Sequence, residues 1–309
     1  MSSLDDVKRH DLKAVFAAAL QWLEDNLPQF SLAAYAKKDV ERNLYMKPFG
    51  EMIFSLWYLN LHKAVPPWGR RFVEDAWREL DDGKELAELL IARPGFVNLS
   101  VLCAWFANFG FREPALDAAV RYLAGTDFYA GHNIVNYRRI ELAMAVNGLL
   151  RLGRPLPVAV EKTLLHQMPE PWIVEEDVAY ALTHEIFYLT AMGRDLSRLG
   201  AEQRRYFSHW IEAWLRIYEE ARNMDVFGEL LICSNMLGCP DAFAGHVDTL
   251  CRHQLPSGVF PGPRELSFPE HENPDPGRRY FLNNYHTTLV GVMALAPHAG
   301  SGPTLGMEI

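Results

Sequence analysis

Residues 174–193, VEEDVAYALTHEIFYLTAMG, decide how the chain folds. Three acids (Glu175, Glu176, Asp177) open the stretch and Gly193 closes it, the punctuation expected of a helix start and stop. Between them nearly every residue is apolar, so the helix is expected to be buried on most sides. His184 and Glu185 interrupt that apolar run. An imidazole and a carboxylate taken out of water each need a partner, so their partners have to come from elsewhere in the chain.

The same pattern of an apolar helix stopped by glycine recurs. Phe109-Gly110, Leu152-Gly153, Met192-Gly193 and Leu237-Gly238 each end an apolar run, and their glycines are 43, 40 and 45 residues apart. A more amphipathic helix follows each stop. Paired helices at a fixed period form an array, and counting outward gives six pairs: 11–63, 68–109, 114–152, 156–192, 200–237 and 240–296. Helical spacing predicts, among others, helices over 11–26, 44–63, 96–109, 136–152, 201–222, 225–237 and 280–296, with Pro155 and Pro157 opening one more. No alternating segment of strand length stands out. The predicted architecture is an all-α, α/α toroid over 1–297, its apolar helices forming an inner ring, with a disordered tail over 298–309.

Composition narrows the function. With 49% hydrophobic residues the chain can bury a large core. A net charge of −9 argues against general affinity for nucleic acid, which needs a basic face. The polar opening MSSLDDVKRH is not a secretory signal, and no apolar run reaches the roughly 20 residues that cross a bilayer. Four cysteines (Cys103, Cys233, Cys239, Cys251) are too few for a disulfide framework, so free thiols and a cytoplasmic location are expected. Cys239, His246, Cys251 and His253 follow no finger spacing.

Two segments carry a resemblance. Gln254-Leu-Pro-Ser-Gly258-Val-Phe260 is similar to the turn motif of terpenoid cyclases and protein prenyltransferases, and 284–289, NYHTTL, resembles the segment of prenyltransferase β subunits whose His binds zinc. The resemblance covers mainly 220–296 and implies the toroid fold. It also implies a metal role for His286, with Asp225 opening the preceding inner helix as a further ligand; Phe227 stands where that family has its Cys ligand.

The repeat places the chemistry. His184 and Glu229 each lie nine residues before a helix-stop glycine, and His286 lies about ten before the end of the last helix. Two histidines and a carboxylate from three inner helices make an expected Zn²⁺ or Fe²⁺ site with open positions. Glu185 and Asp225 are the candidates for orienting a ligand or moving a proton. Asn133, Asn136, Tyr137 and Arg138, leading into the third inner helix, are expected to contact a polar group of a small-molecule substrate, with Tyr180 and Tyr285 beside the two histidines. The proline-rich stretch 261–279 is read as a loop at the mouth of the cavity. The expected function is therefore a metal-dependent enzyme acting on a small, partly apolar metabolite. The alternatives are a metal-free carbohydrate-active toroid using Asp225, Glu229 and Glu176, and a toroid that only binds a ligand or partner.

Overall fold

In the computed structural model, which describes residues 4–32, 43–150, 156–268 and 274–300, regular structure is helical throughout. The described residues form α1 (Leu4–Asp25), α2 (Leu27–Phe30), α3 (Asn43–Leu61), α4 (Gly69–Glu79), α5 (Lys84–Ala92), α6 (Asn98–Asn108), α7 (Pro114–Gly125) and α8 (Phe128–Gly131). There follow α9 (Asn136–Leu150), α10 (Leu164–Gln167), α11 (Glu176–Leu189), α12 (Ala201–Glu220), α13 (Met224–Leu237), α14 (Pro240–Arg252) and α15 (Pro276–Ala299). No strand occurs among them, so the all-α expectation holds. No helix among them is long and apolar enough to cross a membrane, and Cys103, Cys233, Cys239 and Cys251 are free.

The helices sort into two compact units. One joins the described residues up to Gly69 with those from Phe207 onward; the other spans 70–206.

The first unit is organised on α13 and α15. Asn223 caps α13 by accepting from Val226 N at 3.2 Å, and Gly238 stops it in the left-handed conformation at φ 71°. Nearly every residue of α13 is buried, Asp225 and Glu229 included. Asp275 caps α15 by accepting from Arg278 N at 2.9 Å. The final helix thus starts at Pro276 rather than near 280, because proline is suited to the first helical turn. α15 packs against α1, α3 and α13, and an aromatic core of Trp22, Phe30, Phe281 and Tyr285 joins it to the N-terminal helices.

The turn at 254–260 ties the two ends of this unit together. Gln254 Nε2 donates to Val15 O at 2.8 Å and to Gly258 O at 3.1 Å. Gly258 sits at φ +89°, and a Cβ there would lie 2.2 Å from Ala18 O. Only glycine fits that close approach. Phe260 is fully buried, and its N–H donates to Thr288 on α15 at 3.2 Å. The stretch that follows is pinned to α15 as well, Gly262 N donating to Asn284 Oδ1 and Leu266 N to Asn283 Oδ1.

In the second unit α9 packs on α6 and α11, and α5 on α7. Gly110 and Gly238 end α6 and α13 with positive φ, whereas α11 already ends at Leu189 and Gly193, also at positive φ, comes four residues later; Gly153 lies outside the described residues. The fourth pair departs from the pattern. In place of an amphipathic helix after Pro157 there are only the short 3-10 segments Val160–Lys162 and Pro171–Ile173 and the single turn α10. Pro157, Pro169 and Pro171 deny that stretch the backbone N–H groups a longer helix needs. Helix α5 was not expected from the sequence. At the chain end α15 continues to Ala299, so 298 and 299 are helical where a disordered tail was expected; 301–309 lie outside the described residues, as do 269–273 of the proline-rich stretch.

Candidate functional site

The ionisable side chains of the first unit converge where α3, α13 and α15 meet. Asp225 and Glu229 are one helical turn apart, on the same face of α13. His286 stands on α15, and its Nε2 lies 3.5 Å from Asp225 Oδ1 and 4.0 Å from Glu229 Oε1. Its Nδ1 is 2.8 Å from Glu51 Oε2, a carboxylate supplied by α3. Thr287 Oγ1 donates to Asp225 Oδ1 at 3.3 Å. The Asp225 and Glu229 side chains are 6% and 2% exposed, whereas His286 and Glu51 keep 29% and 24%. The carboxylates of α13 thus form a floor, and the imidazole is reachable from solvent.

Electrostatics follow from that placement. Burial alone would push the His286 pKa down. The charges of Asp225 and Glu51, with the Glu51 hydrogen bond, overcome it and raise the value from 6.5 to about 9. His286 is therefore an imidazolium at neutral pH. For Glu51 burial acts to raise the pKa, but His286, then Lys47 3.8 Å away, hold the carboxyl far below the usual range. Hydrogen bonds from His286 and the Tyr285 phenol add to that lowering. The Tyr285 phenol is pushed well up by burial and by the neighbouring Glu51 charge, so it stays a donor. Three carboxylates face one imidazolium, and one of them, Glu51, also faces the exposed Lys47.

The distances differ in kind on the two sides of the ring. The Nδ1 contact to Glu51 is a charge-assisted hydrogen bond that fixes the imidazole. On the Nε2 side the 3.5 Å and 4.0 Å separations are longer than a good hydrogen bond, so Asp225 and Glu229 act on the ring mainly through their charge. The 3.5 Å separation is also near the roughly 3.0–3.4 Å edges of a shell with 2.1 Å ligand distances, whereas the 4.0 Å one is longer. Yet among the described residues no group of three or more His, Cys, Asp and Glu side chains is arranged to hold a metal ion. A ready-made metal centre of the expected kind is not what the side chains form.

Of the residues singled out by sequence, Asp225, Glu229, Tyr285 and His286 come together in this cluster. His184, expected as the third metal ligand, belongs to the second unit. There its Nδ1 donates to Tyr180 O, one turn back on α11, at 2.7 Å. Glu185, expected to help catalysis, has a structural task. Its Oε2 accepts from Leu165 N at 2.9 Å and its Oε1 from Asn136 Nδ2 at 3.3 Å, which fastens α10 and the start of α9 to α11. Burial raises the Glu185 pKa, and those hydrogen bonds oppose the rise. Arg138 closes an ion pair with Glu141 at 2.7 Å. Tyr137 packs its ring against His184, with centroids 5.0 Å apart. Asn133 is exposed in the segment before α9. Among the cysteine-rich candidates, His246 pairs with Glu212 at 3.0 Å and His253 Nδ1 lies 2.9 Å from Thr249 O.

Glu51 is the functional candidate that the sequence did not yield. Its signal was present: one carboxylate between Phe49 and the apolar run from Met52 to Leu61, the same kind of interruption that marks Glu229 and His286.

Neither a curated protein nor a solved structure matches the chain. A family model does, over residues 16–296, and on that span the chain belongs to the DUF6895 family, described as a domain of unknown function.

Proposed function

We propose that the protein is an enzyme acting on a small molecule, with proton transfer at His286 Nε2 as its central step. The observation that carries this is an imidazole turned at both nitrogens toward carboxylates, Glu51 on one side and Asp225 and Glu229 on the other, within otherwise apolar helices. Burying such charges is a poor way to stabilise a fold, since desolvation offsets most of the Coulombic gain. Clusters of this kind with a strongly shifted group are more characteristic of reaction centres. Glu51, held by Tyr285, would keep His286 oriented through Nδ1. The Nε2–H, protonated at neutral pH, would serve as general acid to a substrate atom entering beside it, and Asp225 and Glu229 would accept from or orient the same substrate.

A divalent cation at the same place is the second reading, favoured by the two carboxylate oxygens that face Nε2 from one side, at 3.5 Å and 4.0 Å. His286, Asp225 and Glu229 would hold it after a small movement of the carboxylates, and a bound Zn²⁺ or Fe²⁺ would supply Lewis acidity.

The toroid is likewise a proposal. Its support is the alternation of buried and amphipathic helices and, in the first unit, the packing of α1 against α15 with the Gln254–Val15 tie.

Incubation of the wild-type protein and His286→Gln with a small-metabolite extract, followed by mass spectrometry, tests the enzyme reading. A metabolite consumed by wild type and spared by the variant supports it. Consumption by both at equal rate, or by neither, rejects it. Elemental analysis of the same samples separates the two readings: metal stoichiometric in wild type and lost in the variant selects the cation.

A further inference from the structure

The segment that leaves the 254–260 turn runs beside the His286 centre. We infer that residues 263–268 are a strap that gates access to His286, fixed at its near end by Gly262 and latched at its far end to α15.

The near end is firmly held. Gly262 N donates to Oδ1 of the buried Asn284 at 3.1 Å, and Asn284 Nδ2 donates in turn to Tyr280 O at 2.7 Å. The Gly262 backbone comes so close to α15 that a Cβ there would lie 2.0 Å from Asn283 O and 3.8 Å from Thr287 Oγ1. Thr287 is the residue whose hydroxyl donates to Asp225. The strap therefore starts at the edge of the carboxylate cluster.

From there its contacts walk round the helix. Leu266 N donates to Asn283 Oδ1 at 2.9 Å, and the Arg279 guanidinium lies 5.9 Å from the Phe268 ring centroid. At about 100° per residue, Asn284, Asn283 and Arg279 stand roughly 160°, 60° and 20° from His286 around the axis of α15. Each successive contact brings the strap nearer to the face that carries the imidazole. Arg279 shares that face, about two turns before His286. With the strap in this place the His286 side chain keeps 29% of its surface, so the approach is narrowed and not sealed.

The far end is held weakly. Pro263, Arg264, Glu265, Leu266 and Ser267 are all exposed. Leu266 keeps 46% of its surface, so its side chain does little to anchor the segment. The Leu266–Asn283 bond is exposed to water, which can replace it at small net cost. The Arg279–Phe268 contact is near the roughly 6 Å reach of a cation–π interaction. Segments with solvent-exposed backbone bonds and few buried apolar contacts are the first to open. A strap of this kind lets a ligand in and then excludes water from the group beneath it.

The purpose assigned to the strap rests on His286 being the reacting group; its movement does not. The test uses the full-length protein without substrate and reads the relaxation of the His286 Cε1–H signal by a neutral gadolinium chelate, with His286→Gln assigning the resonance. Asn283→Ala removes the latch for Leu266, and Phe268→Ala loosens the far end without touching α15. In both variants the relaxation enhancement at His286 should roughly double. In Asn283→Ala the Leu266 amide should also exchange about tenfold faster, with exchange along the middle of α15 unchanged. An unchanged enhancement in both variants, or a rise accompanied by faster exchange along α15 itself, would show that 263–268 is a fixed rim and not a gate. Because no substrate is present, this result is independent of whether a metabolite is consumed, and the gate and the enzyme reading can fail separately.

Discussion

Replacing Glu51 by glutamine keeps a hydrogen-bond acceptor near His286 Nδ1 and removes only the charge. The rise of the His286 pKa from 6.5 to about 9 corresponds to about 3.4 kcal/mol of preference for the charged ring. Burial opposes that rise, so Asp225 and Glu51 together supply more than the net figure. Glu51 acts through both its charge and its 2.8 Å hydrogen bond. In Glu51→Gln the His286 pKa should therefore fall by at least a full pH unit, to about 8 or lower. A ¹H–¹³C NMR titration of the histidine Cε1–H signals reads it directly, with His286→Gln assigning the resonance. The stability profile gives an independent check. His286 has a folded pKa above its unfolded one, so its contribution is complete below pH 6.5 and is lost as pH rises through about 9. For Glu51 the folded pKa is depressed, so its contribution holds above the ordinary carboxylate range and fades only as pH falls below it. Urea unfolding should therefore show wild type losing stability between pH 6.5 and 9, and Glu51→Gln losing less over that window. A His286 pKa within about 0.3 of the wild-type value in the variant would refute the charge array on which the proposed site rests.

Other outcomes follow from the fold. Gly258→Ala should destabilise the protein by about 2–4 kcal/mol in denaturant unfolding, since its Cβ would meet Ala18 O at 2.2 Å and φ is +89°. Gln254→Ala, which loses the bond to Val15 O, should cost about 1 kcal/mol in the same assay. Glu185→Ala removes the acceptor for Leu165 N and Asn136; it should cost about 1–3 kcal/mol and speed amide exchange at 164–167, with little effect on the His286 titration. Thiol titration in denaturant should report four cysteines without reductant.

The helical class and the glycine stops were legible because they are local. An apolar run needs its 3.6-residue spacing, and Gly110, Gly193 and Gly238 each take the left-handed turn that only the adjacent backbone has to specify. The fourth pair was misread because amphipathic spacing was weighed above the prolines, and at 156–173 three of them, Pro157, Pro169 and Pro171, win. In the candidate site, Asp225, Glu229 and His286 could be picked as charges stranded in apolar helices. Their company could not be read with equal ease. Glu51 is 235 residues from His286, and no period relates them. His184 was picked by its register before Gly193, and it belongs to the second unit, where its Nδ1 is held by Tyr180 O.

The make-up of the first unit has a consequence for how the protein is born. Its early part, through Gly69, shares a unit with the residues from Phe207 onward, so 137 residues must be translated in between. At about 5–20 residues per second the ribosome needs roughly 7–30 seconds to supply them. Throughout that time α3, with Phe49, Ile53, Leu56 and Trp57 destined for the core, has none of α15 to cover it. The chain emerges with the α15-facing side of α3 uncovered, while residues 70–206 already have their own packing partners within reach. A ribosome stalled before residue 276 would release a polypeptide whose second unit is complete and whose first is left holding an open seam.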